Sequence, residues 1–309
     1  MLRFPTGCNT GSVQVVGVGA ATLDNLWLVD GFLIEEGVQR AFSHITMGGG
    51  PVATSLCVLS RLGHQAALVD ACGDDPAGRE ILAGLSTEGV NTKWIHCAPE
   101  RISATAIVLV RAGDGARQIV YQPSSAAEPT LDSNFTEMIA GAQLLHLNGR
   151  HESTARACIE IAQRSDLLIS YDGGAGRYRD SIRDLVEASH LRLFSKDFAM
   201  RFTGLTEVSG MMSHLLTGVA KVAVITDGLR GSYIQCKGAE MFHQPAYSAP
   251  KTIDSTGCGD VFHGAFLHGY LSHWEIRRCS DFASRVASIN ASGLGGRYVL
   301  KTDLKLLAS

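Results

Sequence analysis

The sequence has no run of about 18 apolar residues, so a membrane-spanning helix is not expected. Its opening, MLRFPTGCNTGSVQVVGVG, lacks the apolar core of a secretory signal and reads as a short leader into a first strand. Charge is scarce: Asp, Glu, Lys and Arg make up 18% of the 309 residues, against roughly 25% in an average globular chain. With 27 Lys and Arg against 30 Asp and Glu, the formal net charge is −3 and the pI about 6.4. That balance argues against a nucleic-acid-binding face. The eight cysteines (8, 57, 72, 97, 158, 236, 258 and 279) include no CxxC pair, and Cys57 sits in the apolar run TSLCVLSRLG. They read as small core residues of a reduced, cytoplasmic protein. The eleven histidines include no HExxH, and His263, His268 and His273 are five apart. That spacing does not stack them on one helical face, so no metal site is expected there. GxxxxGKS and GxxxxGKT are both absent, which excludes a P-loop. In GVGAATLDN, Thr22 stands where a dinucleotide-binding loop needs its third glycine, which argues against an oxidoreductase.

Apolar residues are plentiful, at 45% with a mean hydropathy of +0.10, enough for a sizeable core. Short β-branched runs recur at residues 12–19, 66–73, 104–111, 144–148, 167–174, 191–195 and 221–228. Amphipathic stretches such as PVATSLCVLSRLG, DPAGREILAGLSTEG, STARACIEIAQRS and FAMRFTGLTEVSGMMSHLL lie between them. This alternation predicts an α/β fold, a mostly parallel sheet covered by helices on both faces. No repeat, low-complexity tract or Pro-rich linker divides the chain, so residues 1–309 read as a single domain. Residues 20–47 and 103–123 break the alternation. The second has two β-rich arms around GDGA, a hairpin signature. Together they predict a small extra sheet, suited to a lid. Its exposed edge could also pair with a second copy of the chain.

Three stretches can carry chemistry. In DSTGCGD, Gly257 and Gly259 allow positive φ and close approach to the backbone, and a helix is expected to begin near Asp260. The unpaired amides and dipole of such a helix end stabilise a phosphate. Asp260 suits two roles there: capping the helix, or accepting the proton of a hydroxyl that attacks the phosphate. In MGGGPVATSLCVLSRLG, three glycines precede a proline at the expected first helical position, again exposing backbone at a helix start. VITDGLRGSYI reads as a strand, a tight turn at Asp227–Gly228 and a second strand after Gly231. Asp24, just after the first strand, is placed to bind sugar hydroxyls or to sit in a surface turn.

Taken in order, these stretches resemble the ribokinase-like (PfkB) carbohydrate kinases. TIDSTGCGDVFHGAF is similar to that family's DTxGAGDxF motif, with Cys258 in place of alanine, GGGPVATSLCVLSRLG to its N-terminal glycine motif, and VITDGLRG to its nucleotide-binding strand and turn. The resemblance spans about residues 13–300. It implies a three-layer α/β/α sandwich of nine or so strands with a β-sheet lid. It also implies transfer of the ATP γ-phosphoryl group to a sugar hydroxyl. Asp260 would be the general base, and the amides of Gly257, Cys258 and Gly259 the anion hole. Thr226, Asp227, Gly228 and Gly231 would contact the nucleotide; Asp24, Gly48, Gly49, Asn148 and Arg150 would contact the sugar. The implied cofactors are ATP and Mg²⁺, with a monovalent cation as a further candidate; no metal ligand is assigned.

Within the family, FSKDFAMRFTG stands where many members carry NxxE, and with LLHLNGRHES it resembles the ketohexokinase branch. GGGPVAT, HQPAY, GDVFHGA and GLGGR resemble the sulfofructose kinases. The lysine and asparagine that hold the sulfonate there are Val38 and Tyr121 here, whereas Arg150 matches their arginine. Gly50 and Ala53 replace the family's sugar-binding asparagines. Arg150 could pair with an anionic substrate group, and Asn148 with a sugar hydroxyl. The expected activity is an ATP-dependent sugar kinase acting on a ketose or furanose. The rivals are a nucleoside kinase, with Trp27, Phe32, Phe42 and Tyr121 lining a base pocket, and a non-catalytic sugar or nucleotide sensor.

Overall fold

The computed structural model describes residues 12–33, 35–249 and 251–308. The expected leader and Cys8 lie outside the described residues. Among the described residues, thirteen strands follow one another: β1 (Val15–Val18), β2 (Thr22–Val29), β3 (Ser43–Gly49), β4 (Ala66–Gly73), β5 (Ile95–Ala98), β6 (Thr105–Arg111) and β7 (Arg117–Gln122). Then come β8 (Leu144–Leu147), β9 (Leu168–Gly173), β10 (Leu191–Ser195), β11 (Val222–Thr226), β12 (Ser232–Cys236) and β13 (Phe242–Gln244). Nine form the main sheet in the order β13-β12-β11-β10-β9-β8-β1-β4-β5. Every pair from β11 to β5 is parallel, and the β11–β12 and β12–β13 pairs are antiparallel, so that β12 alone of the nine runs against the rest. The expected mostly parallel α/β sheet is what the chain forms.

Both faces of this sheet are buried, which is why its strands read as continuous apolar runs rather than alternating ones. On one face, Val15, Leu144, Leu168, Leu191, Leu193, Val222 and Val224 share a core with Leu56, Val261, Phe266 and Val286. Those partners lie on the helices Pro51–Arg61, Cys258–Leu271 and Ile276–Ala291. On the other, Val16, Leu145, Leu147, Ile169, Phe194 and Ile225 pack with Ile139, Ile159, Phe198 and Met212. These come from helices Ser133–Ala140, Glu152–Arg164, Lys196–Thr203 and Val208–Leu215. The last two correct the single amphipathic stretch expected over FAMRFTGLTEVSGMMSHLL. Gly204, at φ 72°, ends the first helix in the left-handed conformation that favours glycine.

The two irregular regions build a second, four-stranded sheet in the order β3-β2-β6-β7. Its outer pairs are antiparallel and the central β2–β6 pair is parallel. β6 and β7 form the expected hairpin, closed by Arg111 N–H donating to Ala116 O at 2.8 Å. Leu26, Ala106, Val108 and Val110 give this sheet a small core of its own.

Candidate active site

In the main sheet, β1 is flanked by β4 and by β8, so successive strands run away from it in opposite directions. The crevice beyond the carboxyl ends of strands at such a switch point is where open α/β sheets place ligands. Gly19 follows β1 there, Asn148 follows β8 and Gly174 follows β9.

The DSTGCGD loop enters this region as the start of the helix Cys258–Leu271, two residues earlier than the sequence suggested. Gly257 is its cap residue, at φ 69°. A Cβ on Gly257 would lie 2.2 Å from Gly296 O, so conformation and space both demand glycine. Gly259 is exposed, and a Cβ there would meet nothing within 4 Å; the space above it is open to a ligand. Val261 N–H closes onto Gly257 O at 2.9 Å, and Cys258 N–H lies 3.4 Å from Ser255 O. Among the described residues, the amides of Gly257, Gly259 and Asp260 find no acceptor. Of the three expected donors, Cys258 is therefore the one already partly engaged. Its thiol is pushed up to about 12 by burial and stays neutral at physiological pH.

Asp260 sits inside the first turn, so it is not the helix cap. Its carboxylate is partly buried and receives no hydrogen bond among the described residues. Burial raises its pKa; Arg177 opposes that shift, Asp172 adds to it, and His263 and Arg117 oppose it again. Behind the loop, Asp254 is fully buried and accepts from Thr256 N–H and Gly295 N–H, each at 2.8 Å. Asn290 donates to Thr256 O at 3.0 Å and accepts from Val299 N–H at 3.1 Å. The small sheet reaches the same loop: Ser255 Oγ donates to Gly115 O at 2.8 Å and accepts from Arg117 Nη1 at 2.8 Å.

The glycine motif lies alongside. Gly50, at φ 89°, precedes Pro51 at the first helical position, and Ser55 Oγ from that helix donates to Asp260 O at 2.8 Å. Gly49 leaves room for the Asp24 carboxylate: a Cβ there would stand 2.0 Å from Asp24 Oδ2. Asp24 also accepts from Thr22 Oγ1 at 2.5 Å. Burial raises its pKa, while Thr22 and Arg297 oppose the rise. The buried Arg297 donates to Gly49 O at 2.7 Å and to Thr54 Oγ1 at 3.1 Å, and it occupies the space a Cβ on Gly48 would need. Across from these, Asn148 Oδ1 accepts from Arg150 N–H at 3.2 Å. The Arg150 guanidinium lies over Tyr121, 5.8 Å from the ring centroid, with no carboxylate partner among the described residues.

Of the aromatic residues that a base pocket would use, only Tyr121 is placed this way. Trp27 alternates with Asp24 and Leu26 along β2, so it faces the opposite side of the small sheet, where it stacks on His44 at 4.0 Å. Phe32 lies against Arg111, and Phe42 is exposed.

On the nucleotide side, β11 ends at Thr226 and a short turn spans Gly228–Arg230 before β12. Asp227 accepts from Arg230 at 2.6 and 2.8 Å and from Lys196 at 3.1 Å, which holds its carboxyl below the usual range. Gly228 (φ 57°) has open space around it, whereas Gly231 (φ 87°) is demanded by the backbone of Gln244. Where many PfkB kinases carry NxxE, Ser195 caps its helix through Phe198 N–H at 3.2 Å, and Asp197 accepts from Gly176 N–H at 2.7 Å. Among the described residues, no group of three or more His, Cys, Asp or Glu is arranged to hold a metal ion. No helix among them is long and apolar enough to cross a membrane.

Asp172, Arg177, His263, Asp254, Asn290 and Arg297 were not singled out from the sequence for this site. Asp254 and Arg297 do lie in DSTGCGD and GLGGR, but local pattern gave them no role.

The chain is 28% identical to fructokinase-1 of Zea mays over 331 residues, covering 96% of this chain and 97% of that one. It is 25% identical to a nucleoside kinase of Methanothermobacter thermautotrophicus over 289 residues, 89% and 88% of the two chains. Arabidopsis thaliana ribokinase, solved with ribose and ATP, has the same fold: TM-score 0.81 at 21% identity, over 96% of this chain and 99% of that one. The sequence profile of the pfkB family of carbohydrate kinases matches residues 14–303. With the profile running through the glycine motif, both sheets and the GxGD helix, the chain belongs to the pfkB carbohydrate kinase family.

Proposed function

We propose that this kinase transfers the γ-phosphoryl group of ATP to a hydroxyl of a small sugar, a ketose or related furanose, with Asp260 accepting the hydroxyl proton. One observation carries the reading: among the described residues, a carboxylate with no hydrogen-bond donor stands in the same helical turn as amides that have no acceptor. The amides of Gly257 and Gly259, with the dipole of a 14-residue helix, stabilise charge gathering on the transferred group. Gly259, with no side chain and open space above it, lets phosphate oxygens approach the backbone. Phosphoryl transfer asks mainly for positioning and charge stabilisation, and the base removes the proton as the hydroxyl attacks.

Asp24, Gly48, Gly49, Asn148 and Arg150 form the sugar side of this reading, and the backbone from Thr226 to Gly231 the nucleotide side. Asp227 contributes there by fixing Lys196 and Arg230 rather than by a free carboxylate. Mg²⁺ bound with the nucleotide would supply charge neutralisation on the phosphates; among the described residues no group of three or more His, Cys, Asp or Glu forms a cage for it, so phosphate oxygens and water would be its chief ligands. A homodimer through the small sheet is the accompanying reading. β3 and β7 are its free edges, and Ile119 and Val120 are exposed on β7. Sedimentation of the purified protein tests it.

A nucleoside acceptor is the second reading, favoured by the nucleoside kinase relative but served by Tyr121 alone among the expected aromatics. ADP release over a panel of ketoses, aldoses, phosphorylated and sulfonated ketoses, and nucleosides separates the two. Turnover highest on a ketose or furanose is expected. Preference for nucleosides would reassign the acceptor, and no turnover on any member would favour a sensor.

A further inference from the structure

Between the main sheet and the helix Cys258–Leu271 lies a buried polar cluster in an otherwise apolar layer. In-register pairing sets His146 on β8 opposite Ser170 on β9, with Asp172 two residues further along the same face. The flanking positions Leu144, Leu168, Leu191 and Leu193 are all core. His146 Nδ1 and Ser170 Oγ are 2.8 Å apart. His263 lies one turn beyond Asp260 on the same helical face, and its Nδ1 stands 3.4 Å from Asp172 Oδ1. Arg177 Nη1, from the loop after β9, is 3.9 Å from Asp172 Oδ2. Both Asp172 oxygens, both His263 ring nitrogens, His146 Nε2 and Arg177 Nη1 are buried without a well-formed hydrogen bond.

Three ionisable side chains buried in an apolar layer, His146, Asp172 and His263, are costly to fold, and packing alone would be served better by leucine; Arg177 reaches them from the layer's edge, its side chain 39% exposed. The arrangement has a direction: it runs from His146 through Asp172 and His263 to the base. We propose that Asp172 and His263 are positioning residues for phosphoryl transfer: His263 offsets the charge of Asp172 beneath Asp260, so that the base meets a balanced pair and stays aimed at the acceptor hydroxyl. This inference rests on the reading of Asp260 as the base.

Asp260 interacts electrostatically with Asp172 from β9, Arg177 from the following loop, His263 and the Cys258 thiol from its own helix, Arg117 from β7 and Asp24 from β2. Asp172 in turn faces His263, Arg177 and His146. Removing His263 leaves two carboxylates sharing a site with less balancing charge, which raises the pKa of the pair by ~1–3 units. Removing Asp172 as well takes the second carboxylate away.

The test is the acid limb of the pH profile of kcat/KM for the acceptor, at saturating Mg-ATP, in wild type, His263→Gln, Asp172→Asn and the double variant. His263→Gln should move the limb up by about one unit or more, and adding Asp172→Asn should return it to within about half a unit of wild type. A limb unmoved in His263→Gln, or no return in the double variant, overturns the inference even if rates fall. If His263→Gln does not fold, His263→Asn is read the same way; failure of both to fold assigns the pair to structure and also overturns it. Asp260→Asn, assayed alongside, separates the two readings. Retained activity there removes the base itself, whereas lost activity with an unmoved limb in His263→Gln removes only the pair.

Discussion

Arg117 on β7 donates to Ser255 Oγ at 2.8 Å, tying the hairpin of the small sheet to the loop that opens the helix carrying Asp260. The contact joins residues 138 apart in sequence and is exposed. Arg117→Ala should leave stability within about 0.5 kcal/mol of wild type. It should lower kcat/KM about fivefold through looser seating of the small sheet over the anion site. Steady-state kinetics with a denaturation curve on the same preparation checks both halves.

Gly49 and Asp24 make a second close relationship. A methyl group on Gly49 would stand 2.0 Å from Asp24 Oδ2 and 2.5 Å from Thr22 Oγ1, so Gly49→Ala must displace the carboxylate. The KM for the acceptor should rise tenfold or more, with the KM for ATP unchanged. Gly84, inside the helix Pro76–Thr87 with nothing within 4 Å of its Cβ position, is the control. Gly84→Ala should stabilise the protein by ~0.5–1 kcal/mol and leave both constants alone.

Asp254 braces the anion loop from behind. Asp254→Ala would leave the buried amides of Thr256 and Gly295 without acceptors, at a cost of roughly 2–5 kcal/mol. Urea denaturation should show that loss, and activity should fall even at temperatures where the variant is folded.

Asp260 and Asp24 both have raised pKa values, chiefly through burial. A carboxyl raised in the folded state favours folding while protonated and loses that contribution as pH rises through the folded pKa. At pH 7 both therefore cost stability. Asp260→Asn and Asp24→Asn should each melt about 1–4 °C above wild type at pH 7, with the gap closing below about pH 4. Asp172 runs the other way. Burial would raise it, but His263, Arg177 and His146 hold it below the usual carboxylate range. Its contribution is present above the unfolded pKa of about 4 and is lost as pH falls through the lower folded pKa, so Asp172→Asn should melt below wild type at pH 7. Thermal melts across pH 3–8 read all three signs.

The legible parts of this molecule were the local ones. Gly50-Pro51 and Gly257-Cys258-Gly259 announce helix starts because the conformations they need are written in neighbouring residues. The parallel sheet was legible because burial on both faces leaves unbroken apolar runs. Arg297 was not, since its partners Gly49 and Thr54 lie more than 240 residues away. Asp172 and His263 were hidden for the same reason, one inside a strand and the other inside an apolar helix. Asp260 suited two roles in the sequence. Gly257 takes the cap position in the structure, so capping no longer accounts for the aspartate.

The most direct measurement is the single-turnover rate of phosphoryl transfer in Asp260→Asn, with the best acceptor and Mg-ATP both saturating. If Asp260 takes the hydroxyl proton, the rate falls ~10²–10⁴-fold while nucleotide affinity stays within about twofold of wild type. A rate within about threefold of wild type would contradict the account, because the proton would then leave by a route that does not involve this carboxylate.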